Sequence, residues 1–302
     1  MSDGTETTCL SLTIGPDPTT FEIGPFCPRN IADGPDKSGK WIFQDKLVDA
    51  DGPFIAALAD NYGDETWQLF DPATGKINVT DTKLSCEAAA RPDVAEEYQN
   101  HCVECEVSYL EEGTTMTYVI PLNPVKITNP ADRVGRNGVG IGFAGVRIDA
   151  AAPIDAILGA HTLAAFDDCG GHVNPHAGYH IHAVNDCITS EAGEGDHAGK
   201  VGLALDGYTI FASLLADGTA PDDLDSCRGH ATDGDGYHYH AGDTASNAIL
   251  GCHSGAAGCL LDSKDATCDA SATEERRGGP PGAGGGAGGD GPPPDGAGKS
   301  PE

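Results

Sequence analysis

Positive charge is scarce in this chain: 17 Lys and Arg stand against 47 Asp and Glu, a formal net charge of −30. Phosphate backbones and anionic headgroups need a basic surface, so nucleic acid and membrane surfaces are excluded as partners. Long apolar runs are also missing, and nothing approaches the ~20 residues that a bilayer-crossing helix requires. Met1-Ser-Asp-Gly-Thr-Glu6 has neither a basic start nor an apolar stretch, so no export leader is legible. The absence of a Gly-x-Ser-x-Gly elbow removes support for a serine α/β-hydrolase mechanism. Cys102-Val-Glu-Cys105 has no second Cys-x-x-Cys to complete a zinc ribbon. From Gly278 the composition falls to Gly, Pro, Ala and Asp, which cannot bury a core, so residues 271–302 are expected to be a disordered tail.

Cysteine, by contrast, is plentiful. Eleven are dispersed along 302 residues, a pattern suited to disulfides in an oxidising compartment. The chain is therefore expected to be secreted or periplasmic, its leader removed before this numbering begins. The spacing predicts Cys169–Cys187 and Cys227–Cys252, with Cys9–Cys27 and Cys259–Cys268 as local staples. Cys86, Cys102 and Cys105 then leave one thiol over. The acidic excess favours solubility in a salty medium. The loops Asp60-Asn-Tyr-Gly-Asp-Glu65 and Asp233-Gly-Asp-Gly236 also raise structural calcium, without the full EF-hand spacing.

The dominant feature is a histidine cassette that occurs twice. Cys169-Gly-Gly-His172 leads to Tyr179-His-Ile-His182, and Cys227-Arg-Gly-His230 leads to Tyr237-His-Tyr-His240. Each histidine of copy one stands 58 positions before its counterpart, and Asp167 likewise matches Asp225. Upstream, Val139-Gly-Ile-Gly-Phe-Ala-Gly-Val-Arg-Ile148 parallels Val201-Gly-Leu-Ala-Leu-Asp-Gly-Tyr-Thr-Ile210 at an offset of 62. A duplicated architecture follows.

The expected fold is mainly β with a few short helices: a β-rich region over 1–120 and a duplicated region over 121–270. Copy one spans about 139–187 and copy two about 201–255. Strands are read at 40–43, at 66–70 and 76–80 around the turn Asp71-Pro-Ala-Thr-Gly75, and as a hairpin joining 103–108 to 115–120. Helical segments are read at 56–59, 85–98 and 154–165. Asn78-Val-Thr80 forms a glycosylation sequon.

On a strand, His-x-His turns both imidazoles to one side and the intervening residues to the other. Tyr179, Tyr237 and Tyr239 are thus expected in the core. A third histidine, placed on a loop by Gly171 or Gly229, completes a three-nitrogen set that leaves one position for water or substrate. The candidate ligands are His172, His180, His182, His230, His238 and His240, for zinc or copper. Asp167 and Asp225 are candidates for a fourth ligand, an imidazole-orienting acceptor or a general base. His161, His176, His197 and His253 are read as surface or supporting groups. The two cassettes either share one dinuclear site or hold an ion each. If only one copy is active, Tyr-His-Tyr-His of copy two is the stronger candidate.

Tyr237-His-Tyr-His240, preceded by Leu224-Asp-Ser-Cys-Arg-Gly-His230 and by Val201-Gly-Leu-Ala-Leu-Asp-Gly-Tyr208 and followed by Gly251-Cys252, resembles the signature of the YHYH-domain family. The resemblance spans roughly Pro121 to Gly255. It implies an exported protein with an unassigned metal-binding motif, and copy one departs from the signature at Ile181. A metal-dependent hydrolase acting on esters or amides of a small-molecule or polymer substrate is the leading expectation. A non-catalytic copper- or zinc-binding protein and a structural extracellular scaffold are the alternatives.

Overall fold

In the computed structural model, residues 1–272 are described except for 19, 92, 131–133, 136, 189–196 and 262–265. Nearly all of the expected Gly/Pro tail lies outside the described residues. Strands and short helices follow in the order β1 (Cys9–Ile14), β2 (Lys40–Phe43), β3 (Lys46–Asp49), α1 (Gly52–Ala56), α2 (Leu58–Tyr62), α3 (Lys83–Ala89) and β4 (Met116–Pro121). Then come β5 (Gly140–Gly142), β6 (Arg147–Ile148), α4 (Ile154–Gly159), β7 (Gly171–Asn174), β8 (Gly178–Ile181), β9 (Lys200–Ala204), β10 (Thr209–Phe211), β11 (Gly229–Thr232), β12 (Gly236–His240) and β13 (Cys259–Leu261). The molecule is mainly β with short helices, as the sequence implies, and Met1–Ser271 forms one compact unit.

Eight strands make the principal sheet, in the order β11-β12-β10-β9-β5-β6-β8-β7. Its centre is the antiparallel pair β5–β9, in which Ile141 faces Leu203, Gly140 faces Ala204 and Gly142 faces Gly202. Ile141 and Leu203 are counterparts in the two copies, so a pseudo-twofold axis passes between them. Each half then repeats the same pattern. Ile148 lies beside Ile181 in parallel β6–β8, as Ile210 lies beside Tyr239 in β10–β12. The outer hairpins β7–β8 and β11–β12 pair in equivalent register. Each hairpin turns through three residues into a glycine of positive φ, Gly178 (72°) and Gly236 (64°), a conformation that disfavours side chains.

The other layers pack against this sheet. Tyr118 and Ile120 of β4 are buried, and β4 lies between β1 and β13 in a three-stranded sheet. The expected hairpin from 103–108 to 115–120 does not form. Cys102 and Cys105 are bonded to Cys27 and Cys86, and the Val103 N–H donates to the Leu163 carbonyl. Those bonds hold the segment against another layer, so β4 takes other partners. A second core gathers Trp41, Ile55, Leu58, Leu69 and Phe166, with the Trp41 indole N–H donating to Tyr62 Oη at 3.0 Å.

Residues 56–59 fall where α1 meets α2, while the other two expected helices are shorter than the sequence implies. Thr82 caps α3 through the Ser85 N–H, and the stretch read at 85–98 resolves into α3 and a 3₁₀ turn at Glu96–Tyr98. The stretch at 154–165 shortens to α4, with His161 at φ 50° just past its end. Between 66 and 80 the turn forms, with Asp71 accepting from the Ala73 N–H. The flanking strands reduce to single bridges such as Phe70–Ile77.

Cys169–Cys187, Cys227–Cys252 and Cys259–Cys268 pair as expected. Cys9–Cys27 does not: Cys27 bonds Cys102 across 75 residues, and Cys9 is the free thiol.

Candidate metal centres

Each cassette is organised by an aspartate behind the histidines. Asp167 Oδ1 accepts from the Cys169 N–H, the Gly171 N–H and the Tyr179 hydroxyl at 3.0, 3.1 and 2.9 Å, while Oδ2 accepts from the Gly24 N–H at 3.1 Å. Asp225 repeats the scheme with Cys227, Gly229 and Tyr237. The tyrosine ring reaches its aspartate by crossing over Gly171 or Gly229. A Cβ there would lie 2.6 Å from Tyr179 Oη or 2.1 Å from Tyr237 Oη, which only glycine avoids. Burial raises the Asp167 pKa, opposed by these donors. Both aspartates sit on the tyrosine side of the strand, and the structure does not gather them with the imidazoles.

The histidines occupy the opposite side. His172 stands directly across the β7–β8 ladder from His180, and His230 across β11–β12 from His238. The third histidine is therefore a cross-strand neighbour and not a loop residue. The close approach of paired strands brings the rings together at centroid distances of 4.8 Å and 4.6 Å. Tyr179, Ile181 and Tyr239 are buried on the other face, as alternation requires, while Tyr237 is partly exposed.

Backbone carbonyls set the tautomers. Nδ1–H of His180 donates to Gly178 O (3.1 Å), His182 to Ala150 O (2.6 Å), His238 to Gly236 O (2.9 Å) and His240 to Ala212 O (2.8 Å). A carbonyl only accepts, so Nδ1 must hold the proton and Nε2 must present a bare lone pair. The Asp223 carboxylate meets His230 Nδ1 at 2.6 Å and imposes the same tautomer. Burial holds His180 and His182 below the ordinary imidazole pKa and takes His172 down to about 3 and His240 to about 4, which keeps them neutral.

This arrangement fits a cation. The facing Nε2 atoms of His172 and His182 are 3.2 Å apart, and those of His230 and His238 are 2.9 Å apart. In copy two both facing nitrogens are bare lone pairs, which cannot hydrogen-bond to each other, whereas two ligands on a tetrahedral ion with bonds of ~2.0–2.1 Å stand about 3.3 Å apart. Within each set the nitrogens lie within 4.8 Å of one another. His240 Nε2 is buried with no hydrogen-bond partner among the described residues.

The two sets are separate. Five strand spacings lie between β8 and β12, roughly 24 Å at ~4.8 Å each, so the six histidines do not share one dinuclear site. They also differ in composition. Copy two gains His197, whose two ring nitrogens are buried without hydrogen-bond partners among the described residues and whose ring lies 4.7 Å from that of His238. The sequence reads His197 as a surface or supporting group because it lies outside both cassettes, and 62 residues earlier copy one has Gly135. Copy one instead opens on a cavity of about 340 Å³ lined by His172, His180, His182, Asp149, Arg91 and Glu104, with a wall of small alanines. The register explains the opening. Phe211, beside His240, packs on the copy-two rings, with His197 at 4.5 Å. Its counterpart in copy one is Asp149, whose carboxylate is held by Arg147 and the Ala150 N–H.

The remaining candidates have other partners. His161 bonds Asp64 and Thr66, His253 meets the Val139 carbonyl at 2.9 Å, and His176 is exposed. Among the described residues, neither acidic loop proposed for calcium forms a ligand group, the histidine sets being the two that do. The sequon is sequestered: Thr80 is buried, and the Asn78 amide donates to the Gln68 and Asn100 carbonyls. Five disulfides mark an oxidising compartment, and no helix among the described residues is long and apolar enough to cross a membrane.

The family model described as YHYH protein matches residues 117–223. The match contains copy one entire and the first two strands of copy two. It ends before His230, so the Tyr237–His240 string lies beyond it. No curated protein and no solved structure matches the chain.

Proposed function

We propose that this chain, the carrier of a YHYH domain, is an exported metal-dependent hydrolase that admits a small ester or amide to the copy-one cavity. The reading rests on one observation: three neutral imidazoles, two of them turned by backbone carbonyls, converge on the wall of a cavity of about 340 Å³. A zinc- or copper-class ion held by three nitrogens leaves a position at which water is acidified and a carbonyl polarised. The chain's own residues supply the rest. Carbonyls of Gly178 and Ala150 hold the rings of His180 and His182, and Phe166, 5.2 Å from His172, shields the ligands from behind. Asp149 and Glu104 at the cavity are paired with Arg147 and Arg29, and Arg91 stands in the same lining, a balance of charge that suits a neutral substrate. Asp167 and Asp225 act as positioning residues in this reading, because their oxygens are occupied by cassette donors.

The test is elemental analysis of the purified chain with a chelator-controlled screen of chromogenic esters and amides. About two ions per chain are expected, and ester or amide turnover that falls by roughly 100-fold in chelator and returns with metal. His180→Ala should lose a comparable factor. Turnover that survives verified metal removal would overturn the hydrolase reading. Metal handling without turnover is the second reading, favoured by the crowded copy-two set. Two retained ions with no hydrolysis across the screen would decide for it.

A further inference from the structure

The duplicated centres differ at two places that matter for coordination. His197 stands where the repeat offset gives Gly135 in copy one, and Phe211 stands where copy one has Asp149. The first substitution adds an imidazole and the second covers it with an aromatic ring. His197, His230, His238 and His240 thus offer four nitrogens within 4.8 Å of one another, with no position left over in a tetrahedral arrangement. Asp223, at 2.6 Å from His230 Nδ1, adds a negative charge that partly offsets a divalent ion among four neutral ligands.

We propose that the two centres have divided their labour: copy two is a saturated four-histidine centre that holds a tetrahedral divalent ion structurally, and copy one is the exchangeable, ligand-accepting centre. The copy-one half of the statement rests on the preceding functional reading, while the copy-two half stands on its own residues. The placement reverses the sequence expectation that favoured Tyr-His-Tyr-His as the reactive copy. Among the described residues His240 Nε2 and both ring nitrogens of His197 are buried without a hydrogen-bond partner, and a cation would take one lone pair from each ring. The ion there closes β11 onto β12 and ties the edge hairpin to the segment carrying His197.

The experiment uses the full-length chain loaded with cobalt(II), whose visible absorption reports coordination, and azide as an exogenous ligand. The wild type should bind two ions, and azide should perturb the spectrum of one. His180→Ala, which disables copy one alone, should retain one ion whose spectrum ignores azide. Adding His197→Ala to that background should create an azide response and speed metal loss to chelator by at least about tenfold. The five disulfides and far-UV circular dichroism confirm the fold of each variant, and His197→Gln provides a milder change with the same expectation. An azide response in His180→Ala itself, which leaves His197 intact, would overturn the division. A wild type whose two ions both ignore azide would instead overturn the open copy-one site. Retention of no ion by His180→Ala would eliminate the copy-two centre.

Discussion

At the scale of single residues, buried hydrogen bonds do most of the positioning. Tyr239 Oη donates to Asp206 at 2.5 Å and accepts from the Ser254 N–H at 2.6 Å, and both Tyr239 and Asp206 are fully buried. Tyr239→Phe removes the donor from a buried carboxylate and the acceptor from a buried amide. It should cost about 1–3 kcal/mol, read as a lower urea midpoint at unchanged slope. An unshifted midpoint would show that this pair is not holding the hairpin. Six of the seven histidines in the two centres were legible from sequence, because matched offsets and His-x-His alternation are local properties. His197 and Asp149 were not. The repeat argument rewards residues that agree between copies, and the distinguishing chemistry lies where the copies disagree.

At the scale of elements, disulfides and strand register decide what propensity leaves open. β8 and β12 were readable from their alternation and β2 from its apolar run, whereas the sequence reads β7 and β11 as loops. The pairing of β4 was not readable, because it depends on Cys27–Cys102, a link between residues 75 apart in sequence. Cys169–Cys187 and Cys227–Cys252 each join a cassette aspartate loop to the segment beyond its hairpin. Replacing both Cys227 and Cys252 by serine should cost about 3 kcal/mol by the loop-closure argument, against a change within about 0.5 kcal/mol for Cys9→Ser. Thermal unfolding of the two variants makes the comparison, and equal melting temperatures would contradict it. Arg228 shows an element solving one problem twice. It takes a φ of 70° where copy one has Gly170, and its guanidinium bonds the His240 and Ala241 carbonyls at 3.0 Å. Arg228→Ala keeps the unfavourable φ and loses both bonds, so it should destabilise by about 1–2 kcal/mol, whereas Arg228→Gly should recover part of that loss.

At the scale of the whole molecule, the buried imidazoles set the acid response. Stripped of metal, the protein keeps His172 and His240 neutral down to about 3 and about 4, whereas the unfolded chain protonates them near pH 6.5. Between those limits the unfolded state binds more protons, so stability is complete above about pH 6.5 and declines as pH falls. Asp and Glu titrate mainly below this window, so relief of the −30 charge does not offset the trend between pH 7 and 5. Melting temperature of the chelated protein should therefore drop steadily from pH 7 to 5. A flat profile would mean that these rings are solvated.

The axis between Ile141 and Leu203 has one last consequence. In an assembly of identical subunits, any substitution written into the gene appears on both sides of the axis at once. Gly135 could not then coexist with His197, nor Asp149 with Phe211. Joining both halves in a single polypeptide lifts that obligation, and lets one side change while its twin stays as it was.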